Sequence, residues 1–133
     1  MKIVTDYPPN VDEIRLVFPI SDSVIFAWGD TIFNPGGGEI PPELIEHEEV
    51  HGTRQGNDPK GWWDRYLIDP AFRLAEEVPA HKEEFRWIVQ NANRAERRRA
   101  LLLISERLAS PLYGKMIRPQ EAKKIIKGVL NEC

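Results

Sequence analysis

The spacing of apolar residues changes once along this chain. Before residue 40 they come in short runs: Ile14-Arg15-Leu16-Val17-Phe18 ahead of Pro19, then Val24-Ile25-Phe26-Ala27, then Thr31-Ile32-Phe33. Short apolar runs closed by Pro or Gly predict β-strands. Trp28-Gly29-Asp30 separates the second run from the third and predicts a hairpin turn. Asn34-Pro35-Gly36-Gly37-Gly38 ends the pattern. It lacks the Gly-Lys-Ser/Thr ending of a phosphate loop and reads as a connection.

From residue 41 the period becomes helical. Pro41-Pro42 suits a first turn, where a missing N–H costs nothing, and a helix is predicted from Pro42 to about Gln55. Gly52 is a weak point inside it, and Gly56-Asn57-Asp58-Pro59 ends it. Residues 61–68 predict a short helix carrying Trp62, Trp63 and Tyr66. Asp69-Pro70 has the form of an N-cap followed by proline, so a helix is predicted over residues 71–91, with Pro79 as a kink or break. Residues 96–109 carry a stripe of Ala100, Leu101, Ile104 and Leu108. Residues 119–130 predict a last helix with Ala122, Ile125, Ile126 and Val129 inward. The pattern as a whole predicts an α+β protein: a small N-terminal β-hairpin or sheet, then a mainly α-helical body.

The 133 residues suit one domain, residues 1–133, with a core large enough to stand without staples. A composition of 41% hydrophobic and 29% charged residues is ordinary for a globular chain. The net charge of −3 gives no basic excess for nucleic acid, and Arg97-Arg98-Arg99 reads as a solvated helix face diluted by Glu96 and Glu106. The single cysteine, Cys133, excludes an intramolecular disulfide and reads as incidental. The start, Met1-Lys2-Ile3-Val4, has no signal-peptide core, and no stretch has the length to cross a bilayer. A cytoplasmic monomer without nucleic-acid or membrane partners is the expectation.

The chemistry concentrates in His47-Glu48-Glu49-Val50-His51. Histidines four apart on a helix share a face one turn apart, so both can reach one zinc ion at about 2.0–2.1 Å. Glu48 follows the first histidine and lies to one side of that face, placed to act as general base on a water rather than as a ligand. A catalytic zinc wants three protein ligands and one open position. The arrangement with a third histidine soon after the second fails, because Arg54 and Asn57 stand there. The third ligand therefore comes from further on, with Asp64, Asp69, Glu76, Glu77 and His81 as candidates. Glu77 is preferred: Leu74, Val78, Phe85 and Ile88 mark an inward face, and Glu77 and His81 lie on or beside it. A carboxylate there needs a partner, since burying one unpaired is costly. Glu76 is the alternative register, and His81 reads as a hydrogen-bonded histidine at the boundary.

These residues resemble the gluzincin branch of the zincin metallopeptidases. More closely, the chain resembles the minimal single-domain metallopeptidases encoded by tailed phages and prophages. The matching segments are residues 26–35, His47 to His51, residues 63–73, Glu77-Val78-Pro79-Ala80-His81 and Ser110-Pro111-Leu112-Tyr113-Gly114, most of the chain, although only the His-Glu-x-x-His motif is mechanistically specific. The resemblance implies a zincin-like fold and zinc (Zn2+) on His47, His51 and Glu77. Glu48 is then the catalytic base in peptide-bond hydrolysis. It departs at position 81, where such proteins often carry tyrosine. A substrate peptide would pair with the edge of the hairpin over residues 24–33. Tyr66, Tyr113, Arg65 and Arg73 are candidate donors to the oxyanion, each with core packing or a surface ion pair as its competing role. Trp62 and Trp63 read as a wedge between helices or as cleft lining. Two other functions fit the same residues: a zinc-binding, non-catalytic interaction module, and a metal-free helical adaptor. Glu48 speaks against the first, because a protein that only holds zinc needs no base there.

Overall fold

The computed structural model describes residues 1–131, so Cys133 lies outside the described residues. The elements are β1 (Lys2–Val4), α1 (Val11–Val17), β2 (Phe26–Trp28), β3 (Thr31–Phe33), α2 (Pro42–Gln55), α3 (Pro59–Ile68), α4 (Pro70–Asn91), α5 (Arg94–Leu108) and α6 (Pro119–Lys127). Short 3-10 turns cover Pro111–Tyr113 and Gly128–Asn131. The α+β expectation holds. β2 and β3 form the antiparallel hairpin, with Ala27 opposite Ile32, and β1 adds to β3 in parallel, giving the order β1-β3-β2. Among the described residues no helix is long and apolar enough to cross a membrane.

The run from Ile14 to Phe18 is not a strand. It lies mostly in α1, which follows Pro8-Pro9-Asn10 and has Asp12 and Glu13 in its first turn, where the helix dipole favours acidic groups. Only Ile14 is buried, while Leu16 is 87% exposed. Ile14 and, just past the helix end, the half-buried Phe18 pack inward, one helical turn apart, while Leu16 and Val17 stay outside, and in the sequence that looks like a continuous strand. β1 was not anticipated, because three residues carry no period to read.

The other helices follow local chemistry. The Asp58 side chain accepts from Gly61 N at 2.9 Å, and Asp69 accepts from Ala71 N and Phe72 N at 3.0 and 3.2 Å. These caps start α3 and α4 by satisfying amides that have no partner within the helix. Asn93 and Glu96 form a reciprocal cap on α5. α4 does not break at Pro79. The ring removes the N–H that would bond to Ala75, and Ala75 lies on the exposed side, where solvent reaches the freed carbonyl. Arg98 and Arg99 are exposed on α5, and Arg97 is half-buried.

Two apolar clusters form the core. Phe85, Leu101, Ile104, Leu108, Ala122, Ile126 and Val129 knit α4, α5 and α6 together, while Ile14, Phe26, Trp62, Trp63, Tyr66 and Leu67 join α1, β2 and α3. The most extensive pairing of elements is α2 against α4. The sheet is tied to α2 by one buried side chain: Gln55 Nε2 donates to the Ala27 carbonyl at 2.9 Å, and its Oε1 accepts from Gly29 N at 2.6 Å. Gly52 permits that approach. A Cβ at this position would run into the Gly29 carbonyl oxygen and the Met1 methyl. Gly52→Ala should therefore destabilise the protein by about 1–3 kcal/mol in urea unfolding, although alanine is the better helix former by about 1 kcal/mol. A stabilised variant would show that the turn does not press on the helix.

Candidate metal centre

α2 presents His47 and His51 one turn apart, and α4 brings Glu77 against them. His47 Nε2 and His51 Nε2 are 3.1 Å apart, and each lies 3.0 Å from Glu77 Oε1. The three atoms thus form a nearly equilateral triangle. One proton can satisfy one side of it, whereas a cation satisfies all three. Tetrahedral ligands at 2.0–2.1 Å from zinc stand about 3.3 Å apart, so small outward movements of three side chains admit the ion. The donor set, two imidazoles and a carboxylate, is one that zinc takes in catalytic sites.

The surrounding side chains orient these donors. Glu84 Oε1 accepts from His47 Nδ1 at 2.8 Å, which turns Nε2 to the triangle, where it holds a proton in the metal-free protein and offers a lone pair once an ion takes that proton's place. Tyr66 donates its hydroxyl to Glu77 Oε2 at 2.6 Å, so the other carboxylate oxygen is free to face the histidines. His47, His51 and Glu77 are all buried. Burial opposes the charge on Glu77, but the charges of His51 and His47 and their hydrogen bonds prevail and hold its carboxyl well below the usual range. Burial likewise opposes protonation of His47, yet bonds to Glu77 and Glu84 hold its pKa up at about 10. Burial opposes the charge on Glu84 too, and the bonds from His47 and His81 bring its pKa down to about 2.

Glu76 faces elsewhere. It takes two bonds from Arg54, at 3.0 and 2.8 Å, and one from Trp62 Nε1 at 2.7 Å. Asp64 pairs with Lys60 and Asp69 caps α4, so neither joins the triangle. His81 is not at a boundary. It is 1% exposed, its Nδ1 bonds Glu84 Oε1 at 3.1 Å, and burial pushes its pKa down. With His47 and Glu84 it forms a second group of possible metal donors, whose geometry the hydrogen bonds to Glu84 already explain. Glu84 and the supporting role of Tyr66 escaped the reading of the sequence. The signal for Glu84 was its position seven residues after Glu77, two turns along the same face.

Glu48 is buried beside the histidines, and burial pushes its carboxyl pKa up against the lowering effect of His51 and His47. The group opens onto a cavity of about 640 Å³, also lined by Ile14, Phe18, Ile20, Val24, Phe26 and Leu44. Trp62 and Trp63 serve both uses foreseen for them, as packing wedge and as cavity wall. Of the candidate oxyanion donors, Arg65 pairs with Asp69 on the surface, and Arg73 is spent on the carbonyls of Leu112, Tyr66 and Leu67. Tyr113 lines the cavity, its phenol pKa raised first by burial and then by the charge of Glu77. Comparison with family models, with curated proteins and with solved structures found no match to this chain.

Two outcomes follow for the metal-free and metal-loaded protein. His47 has its pKa raised from 6.5, so its stabilising contribution is complete below pH 6.5 and is lost as pH rises through about 10. Glu84 has its pKa lowered from 4.5, so its contribution is present above pH 4.5 and is lost as pH falls toward about 2. The Tm of chelator-treated protein should therefore fall on both sides of the pH 4.5–6.5 window, and a Tm that climbs from pH 6.5 to 9 would contradict the proton's place on His47. For zinc affinity measured by competition with a chromophoric chelator, Glu77→Ala should abolish tight binding and Glu84→Gln should weaken it about 10–100-fold. Glu76→Ala should leave it nearly unchanged, and a larger loss there than in Glu77→Ala would reassign the third ligand.

Proposed function

We propose that this protein is a zinc-dependent metallopeptidase of zincin-like design. His47, His51 and Glu77 hold the metal, and Glu48 is the general base. The observation that carries the reading is the triangle of two imidazole nitrogens and one carboxylate oxygen, with Glu48 lining the same cavity.

Zinc held there supplies a Lewis acid that lowers the pKa of water toward neutrality and polarises a carbonyl. The chain's own residues do the rest. Glu48, with its pKa raised by burial, sits closer to the range in which a carboxylate both takes a proton and gives it up near neutral pH, as transfer from water to a leaving amine requires. Glu84 and Tyr66 keep the ligands aimed, so reorganisation during the reaction is small. Of the two tyrosines on the cavity wall, Tyr66 is bonded to Glu77, which leaves Tyr113 to meet charge developing on a carbonyl oxygen.

A peptide fits the cavity better than a small polar molecule. Its walls are mostly apolar, and β2 lies at an edge of the sheet. That edge is partly closed: the Ala27 carbonyl accepts from both Gln55 Nε2 and Trp63 Nε1 at 2.9 Å. Main-chain pairing with a substrate strand therefore falls to residues 24–26, which line the cavity.

Glu48→Gln should retain one zinc per chain by metal analysis and lose hydrolysis of a mixed peptide library by about 10²–10⁴-fold. A variant with both zinc and undiminished cleavage would remove Glu48 as base. Wild-type protein that takes up no stoichiometric zinc would remove the whole reading.

A further inference from the structure

His81 is the one side chain of the cluster that the proposed chemistry leaves unused. Its Nδ1 lies 3.1 Å from Glu84 Oε1, and the same oxygen lies 2.8 Å from His47 Nδ1. A carboxylate oxygen shared by two imidazoles is met as an acceptor, so both Nδ1 atoms carry hydrogens. Glu84 thereby orients two histidines at once: it fixes Nδ1 as a hydrogen-bearing nitrogen in both, which leaves the lone pair on Nε2 in neutral His81, and in His47 once a metal ion replaces its second proton. The Nε2 of His47 points into the metal triangle. The Nε2 of His81 has no partner, although the residue is only 1% exposed and lines the cavity.

A buried acceptor left unpaired is costly, and in native proteins such atoms mark a place where a ligand or solvent molecule completes the bond. Glu77 Oε1 is 3.9 Å away, beyond hydrogen-bonding reach. That atom is also an acceptor, so the two cannot bond to each other. A hydrogen carried by a molecule seated in the centre can satisfy this nitrogen. Helix geometry explains the placement: Glu77 and His81 are four apart on α4, as His47 and His51 are on α2, so both helices turn a paired face to the same point.

We propose that His81 Nε2 is a contact for the molecule held at the metal centre, accepting a hydrogen bond from its O–H or N–H group, and is not itself a metal ligand. This rests on the metallopeptidase reading above. It assigns to this chain's own residue a role on the substrate side of the centre, with Glu84 as the positioning group that orients it.

The test compares three substitutions in the zinc-loaded protein. His81→Asn keeps a donor to Glu84 but lacks the reach of Nε2. His81→Gln places an amide oxygen near the Nε2 position, and His81→Phe removes both functions. The readouts are the Kd of acetohydroxamate by calorimetry and the number of imidazoles on zinc by X-ray absorption. The expected result is an acetohydroxamate Kd raised about 10-fold in the Asn and Phe variants and restored to within about 3-fold of wild type by Gln. Two imidazoles should be found on zinc throughout. Wild-type affinity in the Asn variant would show that only the bond to Glu84 matters and would overturn the proposal. So would equal losses in Asn and Gln, or a count of three imidazoles that drops to two without His81. If His81→Phe does not fold, the Asn and Gln variants decide alone. Protein that binds no zinc fails the metallopeptidase reading itself, and this proposal with it. Protein that binds zinc with two imidazoles, and acetohydroxamate without regard to position 81, fails this proposal only.

Discussion

A carboxylate buried between two helices dictates much of this structure. Glu77 is 4% exposed and carries a charge in surroundings that oppose it. Left alone, such a group would take up a proton or force the helices apart. Its two oxygens are divided instead: one faces His47 and His51, the other accepts from Tyr66. The arrangement requires α3 to deliver a tyrosine, α2 to deliver two histidines in register and α4 to hold its face against both. A single positive charge at the triangle, whether proton or metal ion, therefore acts on the seam where three helices meet.

The supporting residues follow from the same requirement. His47 needs Glu84 on its far nitrogen, or its Nε2 would not stay turned toward Glu77. Glu76, next in sequence to Glu77, would be a second unpaired buried charge. Arg54 on α2 and Trp62 on α3 answer it with three hydrogen bonds. Adjacent glutamates on one helix thus serve opposite ends: one is reserved for the centre, and the other fastens α4 to the same two neighbours.

Where local chemistry decides, the sequence was readable. The helices from residue 42 onward were visible in their prolines and periods, and α4 also in its cap, because Asp69 satisfies amides close by in the chain. The spacing of His47 and His51, and the inward face of α4, were visible for the same reason. What escaped depended on tertiary company. Residues 14–18 look like a strand until it is known that Ile14 and Phe18, a helical turn apart, find the core and Leu16 and Val17 do not. Pro79 looks like a break until Ala75 is known to face solvent. Glu84 and Tyr66 look like any surface acid and core aromatic, because nothing in their own surroundings names the atoms they will meet.

The groups that surround the triangle are drawn from one continuous stretch. His47, Glu48, His51, Tyr66, Glu77, His81 and Glu84 all fall within α2, α3 and α4, and α5 and α6 supply none of them. The widest gap between consecutive members is the 15 residues from His51 to Tyr66, so the entropy of gathering them is that of closing short loops. In order of synthesis, this polar constellation leaves the ribosome before α5 and α6, which pack on α4 through an apolar cluster of their own. The centre is thus a property of the middle of the chain, and the last two helices come later, as backing for the helix that carries Glu77.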